Sequence, residues 1–441
     1  MDNGILLNMM ESFDPEIFGI LQDEVENQRY SLSLLPTSNA ISPFAAYLKG
    51  SILGNGYADY HSVHSLEKLE NLAEERVNRL FGSQHALVCI PNIQTASHVV
   101  LYALAPEGGT ILSYNLRKRS HTENWLIKYK FEKFSNEPDT LQIDMEHLRQ
   151  RVAECQPKVV LFSPVNYPRQ ADYRTMAKIA HDAGAYFWVD ISQNAGLVAA
   201  DVVDSPVPYA DVVTFPTSDS LRGAQNAIVL TTNELKDKLE DAVLKTGFVV
   251  RKKNILASLA MTFREAGTKS FRAYCDQVCA NAKALQEGLK EAGAETLCGD
   301  TENHLVLVRT PGSAEKAAHD LASVGLLVKA DEVQTYDNTS IQALRLSSLD
   351  PTTRALREKD MKELGHIIGE YLQEGIVDKT KMKRAVGNLI MDKPLFSEEW
   401  LPEIRGVSAI DGSDKAMSTQ HHVEAEEKQN LLHKAFHFWD N

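Results

Sequence analysis

The 441-residue sequence predicts an α/β protein: a large, mostly parallel α/β/α domain followed by a small C-terminal α+β domain. Three observations predict it. Short apolar runs at 85–90 (HALVCI), 110–114 (TILSY), 159–163 (VVLFS), 186–191 (YFWVDI), 211–215 (DVVTF) and 227–232 (AIVLTT) carry almost no polar alternation, the pattern of strands buried on both faces. Longer stretches of helical periodicity separate them, as parallel crossovers require. Near residue 300 the pattern changes to HLVLVRT, a helical AEKAAHDLASVG, then LLVKAD, ALRLSS and the helix DMKELGHIIGEYLQEG, which reads as a smaller α+β unit.

In chain order, residues 1–60 read as an N-terminal helical arm and 61–290 as the large domain, entered through LEKLENLAEERVNRLFG with apolar positions at helix spacing. Residues 291–400 form the small domain. The remainder, 401–441, is a loop (IRGVSAIDGSDKAMSTQ) and then an amphipathic helix presenting Leu431, Leu432, Ala435, Phe436 and Trp439. Such a stripe is a burial surface, so the tail is expected to dock on its own domain or on a partner subunit, with a different protein partner as the alternative. His433 and His437 lie one helical turn apart, but no third ligand is near and no metal is expected.

Composition narrows the function. Forty-six basic against sixty acidic residues give a formal charge of -14, which disfavours nucleic-acid binding because phosphates need a basic face. Five cysteines without a C-x-x-C pair indicate neither a disulfide framework nor a zinc ribbon, and fit a reducing cytoplasm. No stretch approaches the roughly 20 apolar residues of a membrane span, and the start lacks a signal-peptide pattern.

In parallel sheets ligands bind beyond the carboxyl ends of the strands, which singles out Asp190 at the end of YFWVD. A carboxylate there either caps the next helix or faces a cofactor ring nitrogen. The surrounding segments DISQNAGLVAA, ADVVTFPTSDSLRG, NHLVLV and ALRLSSLDPTTRALREKDM resemble, in order and spacing, those of serine hydroxymethyltransferases, from about residue 10 to about 375. The resemblance implies the fold-type I architecture of pyridoxal-phosphate (PLP) enzymes, a homodimer or dimer of dimers with sites shared between subunits, and one-carbon transfer between serine and tetrahydrofolate. It places Asp190 against the pyridine nitrogen, His121 on the ring face and Arg345 as the clamp for a substrate carboxylate. Tyr167 and Asn39 match positions near the substrate.

Other matches are lost. The family's Thr-His-Lys before Leu-Arg-Gly reads Thr217, Ser218, Asp219, Ser220, Leu221, Arg222, Gly223 here, and Asp219 cannot form the imine made by the lysine. Ser38 stands where the family has a proton-transferring glutamate, and Gln193 where it has a histidine. Asn92, Ile93 and Gln94 replace a Ser-Gly-Ser phosphate loop, and Gly247, Phe248, Val249 and Val250 replace Gln-Gly-Gly-Pro from the neighbouring subunit. On these grounds covalent PLP is not expected, the altered phosphate loop disfavours non-covalent PLP, and tetrahydrofolate is a compatible co-substrate.

New basic residues flank the altered parts: Arg117, Lys118 and Arg119, then Arg251, Lys252 and Lys253. Arg119 and Lys252 are therefore candidate contacts for a small anionic or carboxylate substrate. Asp219, His121 and Asp190 are the candidate catalytic groups, and Arg345, Tyr167, Asn39, Ser38, Thr217, Arg119 and Lys252 the candidate substrate contacts. Two functions follow as expectations: a repurposed, PLP-independent transferase or lyase carrying out addition or transfer at an aldehyde or one-carbon centre on a small carboxylate or anionic substrate, or a non-catalytic dimeric scaffold that binds a protein partner through the tail.

Overall fold

The computed structural model describes residues 3–55, 60–114 and 128–402. Helices α1 (Asn3–Phe13) and α2 (Pro15–Tyr30) lead, through the two-residue strand β1 (Leu32–Ser33), to α3 (Pro43–Lys49) and the long α4 (Tyr60–Phe81). Asp14 starts α2 by accepting the amide of Ile17, with Pro15 in the first turn where a missing N–H costs nothing.

The central sheet is built from β2 (His85–Ile90), β3 (Thr110–Tyr114), β4 (Lys130–Phe134), β5 (Val159–Phe162), β6 (Tyr186–Asp190), β7 (Val212–Pro216) and β8 (Ala227–Thr231). Helices α5 (Ile93–Leu104), α6 (Met145–Cys155), α7 (Tyr173–Asp182) and α8 (Ala195–Ala199) connect them. The strand order is β2-β8-β7-β6-β5-β3-β4, and every pairing is parallel except the two made by β8. Side-chain alternation sends Leu112, Val160, Phe162, Phe187, Val189, Val213 and Phe215 into the core on one face. Ile111, Val159, Leu161, Trp188, Val212 and Val229 enter the core on the other. Covering both faces explains why these strands read as continuous apolar runs. The edge strand β4, KFEKF, is half exposed and alternates charged with aromatic residues, so its sequence carries no such run.

Helices α9 (Lys236–Thr246), α10 (Lys253–Ala266) and α11 (Lys269–Glu291) lead to a three-stranded antiparallel sheet ordered β11-β12-β9, made of β9 (Leu305–Arg309), β11 (Lys329–Gln334) and β12 (Ser340–Ser347). The short β10 (Leu326–Leu327) pairs instead with β1, tying the N-terminal arm to this region. Helices α12 (Ala314–Ala322), α13 (Leu349–Thr353), α14 (Glu358–Glu374) and α15 (Lys379–Ile390) complete the chain to Pro402. Gly288 on α11 and Gly365 on α14 let those helices cross in contact: a Cβ on Gly288 would meet the carbonyl oxygen of Lys362 at 2.1 Å. No described helix is long and apolar enough to cross a membrane. All five cysteines are free thiols.

Candidate active site

The carboxyl ends of β5, β6 and β7 open into a cavity of about 600 Å³. Its walls come from Thr37–Asn39, the start of α5 (Asn92, Ile93, Gln94), the turn after β5 (Ser163, Pro164, Val165), the end of β6 (Asp190, Ser192, Gln193) and the loop after β7 (Pro216, Ser218, Asp219, with Gln225 and Asn226).

Asp190 is 2% exposed. Its Oδ1 accepts the Ser192 amide at 2.8 Å and the Ser192 hydroxyl, and its Oδ2 accepts the Ser163 hydroxyl at 3.2 Å. These bonds fix the plane of the carboxyl at the cavity floor. Asp219 begins a 3-10 turn, Asp219–Leu221, with φ +50, a left-handed conformation that aspartate tolerates better than most residues. Burial pushes its carboxyl up from 3.8 to about 6, against a smaller opposing effect of the Ser218 hydrogen bond.

Two glycines permit that turn. A Cβ on Gly223 would lie 2.6 Å from the Thr217 carbonyl oxygen, and one on Gly196 would lie 2.2 Å from the Ser220 carbonyl oxygen. Ser220 in turn accepts the Gly196 amide at 2.9 Å. Asn39 anchors the turn from across the cavity: its Nδ2 donates to the Asp219 carbonyl oxygen and to the Tyr274 hydroxyl, both at 2.9 Å. Its Oδ1 accepts from Thr353 at 2.7 Å.

Behind this turn lies Arg222, 3% exposed, with its guanidinium carbon 4.0 Å from the Tyr274 ring centre, 5.2 Å from Phe271 and 5.1 Å from Phe396. Trp400 packs edge-on against Tyr274 with ring centres 5.5 Å apart and donates its indole N–H to the Thr352 carbonyl oxygen at 2.7 Å. Ser397 donates its amide to the Thr353 carbonyl oxygen at 2.8 Å. The strap Phe396–Trp400 thus backs the residues that hold Asp219. The sequence signal for it was an isolated Phe and Trp after the last strong helix.

Of the sequence-derived candidates, Asp190, Asp219, Asn39 and Ser38 line this one cavity. The others are placed elsewhere. Thr217 is fully buried and donates to the Ala224 carbonyl oxygen. Tyr167 is buried against Tyr114, with its hydroxyl 3.5 Å from the Ile143 amide. Lys252 is exposed at the start of α10. Arg345 is not an open clamp: its Nε lies 3.2 Å from Asp331 Oδ2, and its Nη1 donates to the Val165 carbonyl oxygen. His121, Arg119, the other basic residues at 117–118 and the tail beyond Pro402 lie outside the described residues.

Residues 10–368 match the family model described as serine hydroxymethyltransferase. The chain belongs to the serine hydroxymethyltransferase family. Its fold is the fold-type I architecture of that family, with the large, mostly parallel sheet and the C-terminal α+β part expected from the sequence. Membership also corrects the cofactor expectation. Serine hydroxymethyltransferases are PLP-dependent, so the reading that PLP is excluded does not stand.

The cavity residues agree with this correction. Asn92 caps α5 by accepting the Thr95 amide at 2.8 Å, which leaves the amides of Ile93 and Gln94 as first-turn donors beside the cavity, an arrangement suited to a phosphate. Gln193, 6% exposed, lines the same cavity with its Oε1 unpartnered among the described residues, a buried acceptor awaiting a ligand donor. Its backbone is fixed by His304, whose Nε2 donates to the Gln193 carbonyl oxygen at 2.8 Å while its Nδ1 accepts the Ser347 hydroxyl at 2.9 Å. Burial holds that imidazole neutral, pushed down to about 3. The sequence offered no pattern that would single out His304. No lysine is among the described residues lining the cavity.

Proposed function

We propose that the protein is a coenzyme-binding transferase or lyase of the serine hydroxymethyltransferase family that acts at a small carbonyl or one-carbon centre, with the Asp219 carboxyl moving the proton. The observation that carries this reading is the pair of carboxyls facing one cavity in different environments. Asp190 already accepts three hydrogen bonds, whereas Asp219 sits in a buried turn with its pKa raised to about 6. A carboxyl poised near 6 is populated in both protonation states close to neutral pH, the condition for general acid–base work.

Bound PLP supplies an electron-withdrawing ring that stabilises negative charge developing beside it. The residues that would hold it are Asp190 for the ring nitrogen, the first turn of α5 for the phosphate and Gln193 Oε1 for a donor on the ligand. Asn39 keeps the Asp219 turn in place, so that the Asp219 side-chain oxygens take up and return the proton. Ile93, Pro164, Val165 and Pro216 form apolar wall that excludes water. Tetrahydrofolate is compatible with the family as a one-carbon acceptor. Exposed Met9, Phe13, Ile17 and Ile20 on the first two helices support burial of that arm in a homodimer.

One observation favours the scaffold reading instead: the charge of Arg345 is already neutralised within the chain. Titration of the full-length protein with PLP, followed by thermal shift and visible absorption, separates the two. Stabilisation by PLP that disappears in Asp190→Ala is the expected result. No stabilisation of the wild type at saturating PLP overturns the catalytic reading in favour of the scaffold.

A further inference from the structure

We infer that the cavity takes a small amine or amino alcohol lacking a carboxylate, and that Asp331 is the specificity-determining residue that enforces this choice. The inference rests on the reading that this cavity is the ligand site. Among its described lining residues the ionisable side chains are Asp190 and Asp219, and the remainder are neutral. Among the described residues the lining therefore favours positive charge and supplies an anion with no basic side chain, only the first-turn amides of α5 already assigned to a phosphate.

The cation bonded to the cavity wall is Arg345, through the Val165 carbonyl oxygen, and it is compensated by Asp331. That pairing is built into the sheet. In the antiparallel β11–β12 ladder Lys329 stands opposite Arg345 and Asp331 opposite Ala343, so Arg345 and Asp331 are diagonal neighbours on one face. The two side chains are 6% and 2% exposed, and Asp331 Oδ1 also accepts the Glu332 amide at 2.7 Å. A ligand carboxylate reaching Arg345 would have to displace a buried carboxylate and leave it without a counter-charge, which costs more than a new ion pair returns. His304 supplies no second cation, since burial keeps it neutral. An ammonium or hydroxyl donor meets no such obstacle at Asp219, Ser38 or Gln193.

The test compares L-serine with ethanolamine, which differ by the carboxylate, by calorimetric titration of the full-length protein with and without saturating PLP. The expected result is ethanolamine binding at least ~10-fold tighter, each buried counter-charge being strongly felt. Asp331→Asn, which releases Arg345, should narrow or reverse that ratio. Because this variant leaves a buried arginine alone, the charge-free pair Asp331→Asn/Arg345→Gln is measured beside it and should keep the wild-type preference. L-serine binding as tightly as ethanolamine or tighter in the wild type, or binding of neither, overturns the inference. Ethanolamine preference without any stabilisation by PLP would leave this inference standing and remove the coenzyme reading.

Discussion

Asp219 lines the cavity at the carboxyl ends of β5–β7, Arg345 is bonded to its wall through the Val165 carbonyl oxygen, and the fold treats their charges in opposite ways. Asp219 is held by its backbone, through Asn39, while its carboxyl is left partly buried where ionisation is costly. Arg345 is held by its side chain, between Asp331 and the Val165 carbonyl oxygen, and its charge is spent inside the protein. A group fixed by its backbone keeps its chemistry available for a ligand, whereas a group fixed by its side chain becomes structure. Position in a family frame does not distinguish the two; the local partners do.

The largest effect should come from breaking the closed side of this comparison. Arg345→Ala strands a buried carboxylate and should destabilise the protein by roughly 3–5 kcal/mol, read by urea denaturation, while removing both charges with Arg345→Met/Asp331→Leu should recover most of that loss. A single Arg345→Ala that costs nothing would mean the pair is solvated and the clamp open.

The next effect concerns the open side. Folding raises the Asp219 carboxyl from 3.8 to about 6, so between those pH values the folded state holds a proton that the unfolded chain has released. Stability therefore falls as pH rises through that window and stays at its lower level above it. Asp219→Asn should gain about 2 kcal/mol at pH 8 and nothing at pH 3, a figure discounted from the full linkage because the side chain is partly exposed. It should at the same time abolish catalysis, the signature of a group kept for chemistry at a cost in stability. Asp350, also raised to about 6 by burial, should leave the variant with a residual slope in the same window.

The smallest change sharpens the comparison. The Ser218 hydrogen bond partly offsets the burial of Asp219, so Ser218→Ala should move the acidic limb of the pH profile upward with little change in the fold.

How far these features could be read from the sequence follows from their range along the chain. The apolar runs marked β2, β3 and β5–β8 because both sheet faces are covered, and Asp190 was visible as the polar end of one of them. The edge strand β4 escaped because alternating Lys and Phe is what a half-exposed strand and a charged loop share. The reversed direction of β8 left no mark, since hydrophobic pattern carries no strand polarity. Asp219, Ser38 and Asn39 stood out through short motifs. The closure of Arg345 did not, because its partner Asp331 arrives through the register of two strands fourteen positions apart. Phe396 and Trp400 likewise act on a turn that lies far back along the chain.

The measurement that tests the account most directly is the protonation curve of the Asp219 carboxyl, taken as the infrared difference between wild type and Asp219→Asn across pH 3–8. A midpoint near 6 is the predicted result. A midpoint near the ordinary aspartate value would contradict it, leaving Asp219 a solvated carboxylate and the cavity without its proton-transfer group.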